Sequence, residues 1–197
     1  GNTVNWTKSG SGQVIFDNVQ AAAAANDIDG TVTVSGGRVI GTGSNVAGNT
    51  NPLDAATINL ATAGTALQFR STAGNPTSFN NVVNVQADAS IENYTGLAGD
   101  GATITLGGTI NINGGTVTAE GSNYAAGIGG GGAWEPGFGH GGTINIAGGK
   151  VSATGGGYGA AGIGGGYYGA GGAVAIAGGT VVAQGGYDSA DIGPGPY

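Results

Sequence analysis

The sequence predicts an all-β chain folded as a right-handed parallel β-helix (β-solenoid) with glycine-rich turns, and three observations carry that prediction. One is an internal repeat. From Gly108 the chain reads G-T-I-N-I-N-G-G-T-V-T-A-E-G, from Gly142 G-T-I-N-I-A-G-G-K-V-S-A-T-G, and from Gly172 G-A-V-A-I-A-G-G-T-V-V-A-Q-G. Each copy is followed by A-G-I-G-G or its variant A-D-I-G-P, at 126–130, 161–165 and 190–194. The second observation is period-2 alternation: Ile144 and Ile146 face one side, Thr143 and Asn145 the other. The third is composition, with 47 Gly in 197 residues and only 8% charged side chains. The glycines follow no every-third-residue pattern, so the chain is not collagen-like, and the returning β-branched residues argue against disorder.

Taken in order, the elements become more regular toward the C-terminus. Val19–Asn26, with its run of five alanines, reads equally as a short capping helix or as an extended segment. Gly30–Asn45 (G-T-V-T-V-S-G-G-R-V-I-G-T-G-S-N) is a degenerate copy of the later unit, and Ala56–Leu60, Val82–Val85 and Ala102–Leu106 are further strand candidates. In the middle clean copy three strands are expected, Thr143–Ile146, Lys150–Thr154 and Ala161–Gly165, with Gly148-Gly149 supplying a corner where φ can be positive. A four-residue strand buries little alone. Stacked on its equivalents it gains a hydrogen-bonded ladder on both edges and an apolar column inside. Right-handed coiling is the default for parallel crossovers. Two regions follow: degenerate coils with a possible cap over 1–100, which hold 13 Gly and 10 of the 15 charged residues, and regular glycine-rich repeats over 101–197.

The four basic residues (Lys8, Arg38, Arg70, Lys150) are scattered through a chain of net charge −7. Nucleic acid is therefore not an expected partner, since counterion release needs clustered Lys and Arg. Membrane insertion is not expected either, because no stretch approaches the roughly 18 apolar residues of a spanning helix. With Gly1 first and no Met, the chain reads as a mature or excised fragment. Zero Cys removes disulfide and thiol chemistry.

The copies G-G-T-I-N-I-x-G-G-x-V-x-A-x-G followed by A-G-I-G-G-G resemble glycine-rich parallel β-helix repeats of secreted bacterial surface proteins, adhesin-like or carbohydrate-binding. The resemblance spans roughly residues 102–193. It implies an extracellular or cell-surface location and a glycan or surface-protein partner. A looser resemblance, to glycine-rich tips of phage tail fibres, implies a virion tail instead. Neither resemblance brings a catalytic residue to this chain, and oligomeric state stays open.

Seven of the 13 aromatic residues lie between 124 and 187, mostly in connections. Tyr124, Tyr158 and Tyr187 each precede the A-G-I-G or A-D-I-G piece by two or three residues, so stacking brings them into one column. Beside it stand Trp134, Phe138 and His140 in one copy and Tyr167 and Tyr168 in the next. Rings cover the apolar C–H faces of sugars while Asn, Asp and Glu bond the hydroxyls. These eight residues are the candidate ligand-binding set, and the competing account is a tyrosine ladder that only packs on glycine backbone.

No catalytic residue is expected: His140 and Glu135 share a glycine loop that would hold neither rigidly, and no carboxylate pair is set for polysaccharide cleavage. G-S-G at 10–12 and G-I-G-G-G at 127–131 lack the lysine of a phosphate loop. No cofactor is expected. Ca²⁺ at Asp27 and Asp29 or at Asp188 and Asp191 is considered, but neither spacing matches a Ca²⁺ loop and solvated turns account for both. The outward row Thr109, Asn111, Thr143, Asn145 raises ice binding, yet it breaks at Ala173 and Ala175. The expected role is a non-catalytic adhesion or glycan-binding module, with a structural stalk as the alternative class.

Overall fold

The computed structural model describes residues 5–17, 30–43, 53, 56–71, 77–79, 81–94, 104–106, 108–131 and 139–196. Its first two rungs contribute β1 (Trp6–Lys8) and β2 (Gln13–Asp17), then β3 (Thr31–Val34) and β4 (Arg38–Gly43). The next two contribute β5 (Thr57–Leu60), β6 (Thr65–Ser71) and β7 (Thr77–Phe79), then β8 (Val82–Val85), β9 (Ala89–Tyr94) and β10 (Ile104–Leu106). The three clean copies give β11 (Thr109–Ile112), β12 (Thr116–Glu120), β13 (Ile128–Gly129); β14 (Thr143–Ile146), β15 (Lys150–Thr154), β16 (Ile163–Gly164); and β17 (Ala173–Ile176), β18 (Thr180–Gln184), β19 (Ile192–Gly193). The first strands of all rungs form one seven-stranded sheet and the second strands another. The third wall is β7 with β10, and β13–β16–β19. Every pairing is parallel, each strand meeting its equivalent one coil away. The chain is an all-β parallel solenoid, with no helix among the described residues.

Alternation fixes which residues fill it. In the first sheet Val32, Ile58, Val83, Ile110, Ile144 and Val174 stand in one inward column, and Val34, Leu60, Val85, Ile112, Ile146 and Ile176 in the next. The second sheet contributes Val39, Leu67, Ile91, Ala119, Ala153 and Ala183. That column shrinks to alanine in the rungs where Ile128 and Ile163 enter the core from the third wall. Each isoleucine removed from water stabilises by roughly 1.5–3 kcal/mol. Asn81 is buried, and its Nδ2 donates to the carbonyls of Leu53 (3.3 Å) and Ala56 (2.9 Å), which anchors the connection ahead of β5 to the next coil.

The structure corrects the expectation in two respects. The third strand of each clean copy is two residues long rather than the five of Ala161–Gly165, because Gly164 turns to φ 134° and ends the extended run. β1, β2, β6, β7 and β9 were not singled out from sequence: β1 and β7 are only three residues long, and in β2, β6 and β9 Gln, Glu and Asn among the apolar residues blur the period. Residues 19–26, the helix-or-extended alternative, lie outside the described residues.

Two neighbours in one column give a direct check on the core. Ile146 is buried and Ile176, one coil on, is 47% exposed. In urea unfolding Ile146→Ala is expected to cost about 2–5 kcal/mol, and Ile176→Ala markedly less. Equal losses would mean that the columns do not carry the stability.

Candidate functional site

The outward faces of the solenoid carry two kinds of side-chain order. On the first sheet, Asn59, Asn84, Asn111 and Asn145 stand in register. Each amide donates to the one before it: Asn84 Nδ2 to Asn59 Oδ1 at 2.7 Å, Asn111 to Asn84 at 2.9 Å, Asn145 to Asn111 at 2.9 Å. The row ends where Ala175 pairs with Asn145. Beside it the threonine row Thr57, Thr109, Thr143 is interrupted by Val82 and ends at Ala173. The asparagines thus spend their polar groups largely on one another, which makes this face a structural ladder.

The second kind is aromatic and lies at the corner after the second sheet. Gly156 N–H donates to Ala125 O and Tyr158 N–H to Asn123 O, so the two connections repeat the same path one coil apart. This brings Tyr124 and Tyr158 into a stacked pair, centroids 5.2 Å apart and planes 28° apart. Tyr167 N–H donates to Tyr124 O and sets its ring 5.6 Å from that of Tyr124. Tyr168 follows with its ring 4.2 Å from Tyr167 and its hydroxyl accepting from the Tyr167 hydroxyl at 3.3 Å. Tyr124, Tyr167 and Tyr168 are half-buried, and Tyr158 is 61% exposed.

Tyr168 sits at φ 56°. A bulky L-residue there costs of order 1–3 kcal/mol and persists only where its surroundings hold it. Here its N–H donates to Pro196 O from the next rung, at 3.2 Å.

The expected column therefore forms in part. Tyr124 and Tyr158 stack, whereas Tyr187, whose N–H reaches Gly157 O at 3.4 Å, keeps a ring that is 82% exposed. Tyr167 and Tyr168, placed beside the column from sequence, join it. His140 is exposed and accepts the Ala170 N–H at Nδ1 (2.9 Å), pinning the far end of the connection that carries Tyr167 and Tyr168. Trp134 and Phe138 lie outside the described residues, as do Asp27 and Asp29. Asp191 Oδ1 accepts the Gly185 N–H at 2.9 Å, which makes it a turn-forming residue, and Asp188 is exposed at φ 55°. Among the described residues no three His, Cys, Asp or Glu side chains converge on a metal position.

A family model described as a beta helix repeat matches residues 110–132 and 144–167. These segments run from β11 through β13 and from β14 to Tyr167, so the matched pattern covers the first two of the three regular coils and stops inside the tyrosine cluster. No curated protein and no solved structure matches the chain.

Two measurements follow from this geometry. The bond donated to Tyr168 stabilises the neutral Tyr167 phenol, and burial and the neighbouring tyrosines add to this, raising its pKa above the ordinary 10.0. Its contribution to stability is full below the unfolded value and is lost as pH rises through the raised folded value. Ultraviolet titration should show a late-ionising tyrosine, and Tyr168→Phe should move it back toward the ordinary range. On the other face, Asn111→Ala strips a partner from both Asn84 and Asn145 and should cost about 0.5–1.5 kcal/mol in chemical unfolding. No change would show that water replaces the amide without loss.

Proposed function

We propose that the chain is a non-catalytic, extracellular adhesion or glycan-binding module in which the solenoid holds a rigid aromatic face. The observation that carries this reading is the cluster Tyr124, Tyr158, Tyr167 and Tyr168, with Tyr158 largely exposed and Tyr168 held at positive φ. Aromatic rings with hydroxyl edges suit sugar C–H faces and hydroxyl groups together. Their mounting on hydrogen-bonded connections lowers the ordering cost of binding. Tyr187, one coil along, extends the face in the direction a chain-like ligand would run. The partner is a cell-surface glycan or a surface protein, the location a cell surface or a phage tail, and no cofactor is called for.

One observation favours a spacer instead. A side-chain carbon at Gly159 would lie 3.2 Å from the Tyr167 ring, so that ring packs on glycine backbone. The exposed Tyr158 and Tyr187 have no such packing role, which is why binding is the preferred reading.

A glycan array probed with the wild type, Tyr158→Ala and Tyr187→Ala tests it. Binding that falls at least tenfold in the variants, with unchanged β-sheet circular dichroism, supports the module. Absence of binding to any glycan, together with no adhesion of coated beads to cells, would leave the stalk.

A further inference from the structure

The tyrosine cluster holds a chemistry that the binding reading does not use. Tyr124 and Tyr158 belong to successive coils, whose connections are tied by Gly156 N–H to Ala125 O and Tyr158 N–H to Asn123 O. The two paths press together at Gly156, where a side chain would meet the carbonyls of Ser122 and Asn123. The backbones thus run one coil apart, about 4.8 Å, and the ring centroids stay 5.2 Å apart. Near-equal separations at both ends mean that the side chains leave in the same direction, with their hydroxyl-bearing carbons on the same side. The planes differ by 28°, so the rings overlap face to face. Tyr158 is largely exposed, which opens the pair to a reagent in solvent. The chain has no Cys and no Met, so no sulfur side chain consumes an oxidising equivalent first.

We propose that Tyr124 and Tyr158 form an oxidative cross-linking site, where a peroxidase using hydrogen peroxide joins the two rings as a dityrosine. Each phenol gives up one electron and one proton, leaving two phenoxyl radicals whose unpaired spin rests partly on the carbons ortho to oxygen. Those carbons couple to a new C–C bond. The hydrogen on each coupled carbon then leaves as a proton while each oxygen takes one up, which restores both phenols. The two electrons and two protons removed reduce one hydrogen peroxide to two waters. The product is a covalent tie between successive coils, in a chain that has no cysteine for a disulfide. Such a tie needs no glycan ligand, and a chain without a binding role would gain it equally.

Geometry selects this pair over its neighbours. Coupling brings the ortho carbons together through their π faces, whereas Tyr124–Tyr167 is tilted by 50° and Tyr167–Tyr168 by 57°. A bond between Tyr167 and Tyr168 would also join sequence neighbours and tie no coils.

The test oxidises the whole chain, dilute, with a haem peroxidase and hydrogen peroxide, then maps the monomer band by mass spectrometry. Lys150 lies between the two tyrosines, so trypsin acting on the denatured chain releases residues 71–150 and 151–197 as separate peptides. After oxidation they should appear joined, two hydrogens lighter than their sum, with fragment ions placing the bond at Tyr124 and Tyr158. Tyr124→Phe and Tyr158→Phe should each lower the joined species at least tenfold, whereas Tyr167→Phe should leave it in place. Tyrosinyl coupling in concentrated urea should fall at least tenfold as well, because the fold supplies the approach. No joined species from wild type, while free tyrosine in a parallel tube dimerises, would overturn the proposal. So would a joined species that survives Tyr158→Phe, that is lost in Tyr167→Phe, or that forms equally in urea.

Discussion

At one corner of each regular coil the backbone of the next coil passes where a side chain would otherwise be. A β-carbon at Gly129 would stand 2.1 Å from the carbonyl oxygen of Gly164, and one at Gly164 would stand 2.0 Å from that of Gly193. This approach sets the register of everything else. It joins the third wall through two-residue strands, lets the N–H of Gly130 and Gly165 donate to the carbonyls of Gly164 and Gly193, and so closes each coil at the height of its neighbour. The parallel pairs of the two long sheets, the apolar columns and the asparagine ladder all need that common rise. Glycine here has an entropic cost of about 0.5–1 kcal/mol per residue relative to alanine, and the stack offsets it through burial that no coil achieves alone.

The same constraint places the candidate site. Strands and corners must repeat, so variation is confined to the connections, where the spacing between copies changes from 34 to 30 residues. The tyrosines sit in these connections. Their positions are nevertheless fixed, because the connection backbones still bond from coil to coil through Ala125, Asn123 and Tyr124 carbonyls. A rigid frame with freely chosen side chains at one corner is how a repeat protein presents a recognition surface. The asparagine face, by contrast, turns its amides along the axis and adds to cohesion.

Much of the architecture was legible because Ile and Val alternate with Thr and Asn in the clean copies, and the strands expected at 143–146 and 150–154 are the strands observed. The degenerate half was less legible. Thr65–Ser71 reads T-A-L-Q-F-R-S, and its Gln68 is buried on what the pleat makes the outer side, so apolar content no longer marks the core face. The aromatic column was legible as spacing, since equal offsets from a repeated motif imply stacking. That Tyr167 and Tyr168 turn into it was not, because this depends on a positive φ at Tyr168 and a bond to Pro196, and neither leaves a period in the sequence. The polar-to-apolar change at Ala173 and Ala175 was visible as a broken row.

The central claim is that coil-to-coil approach at the glycine corner, rather than the turn conformation of glycine itself, holds the stack. Gly164 and Gly193 separate the two, having φ of 134° and 143°. A β-carbon at Gly164 meets the next coil's carbonyl, whereas at Gly193 the nearest contact is the Ala190 β-carbon at 3.3 Å. The deciding measurement is urea unfolding of Gly164→Ala beside Gly193→Ala. The account predicts a far larger loss of stability for Gly164→Ala. Equal losses would contradict it and assign the glycines to local conformation alone.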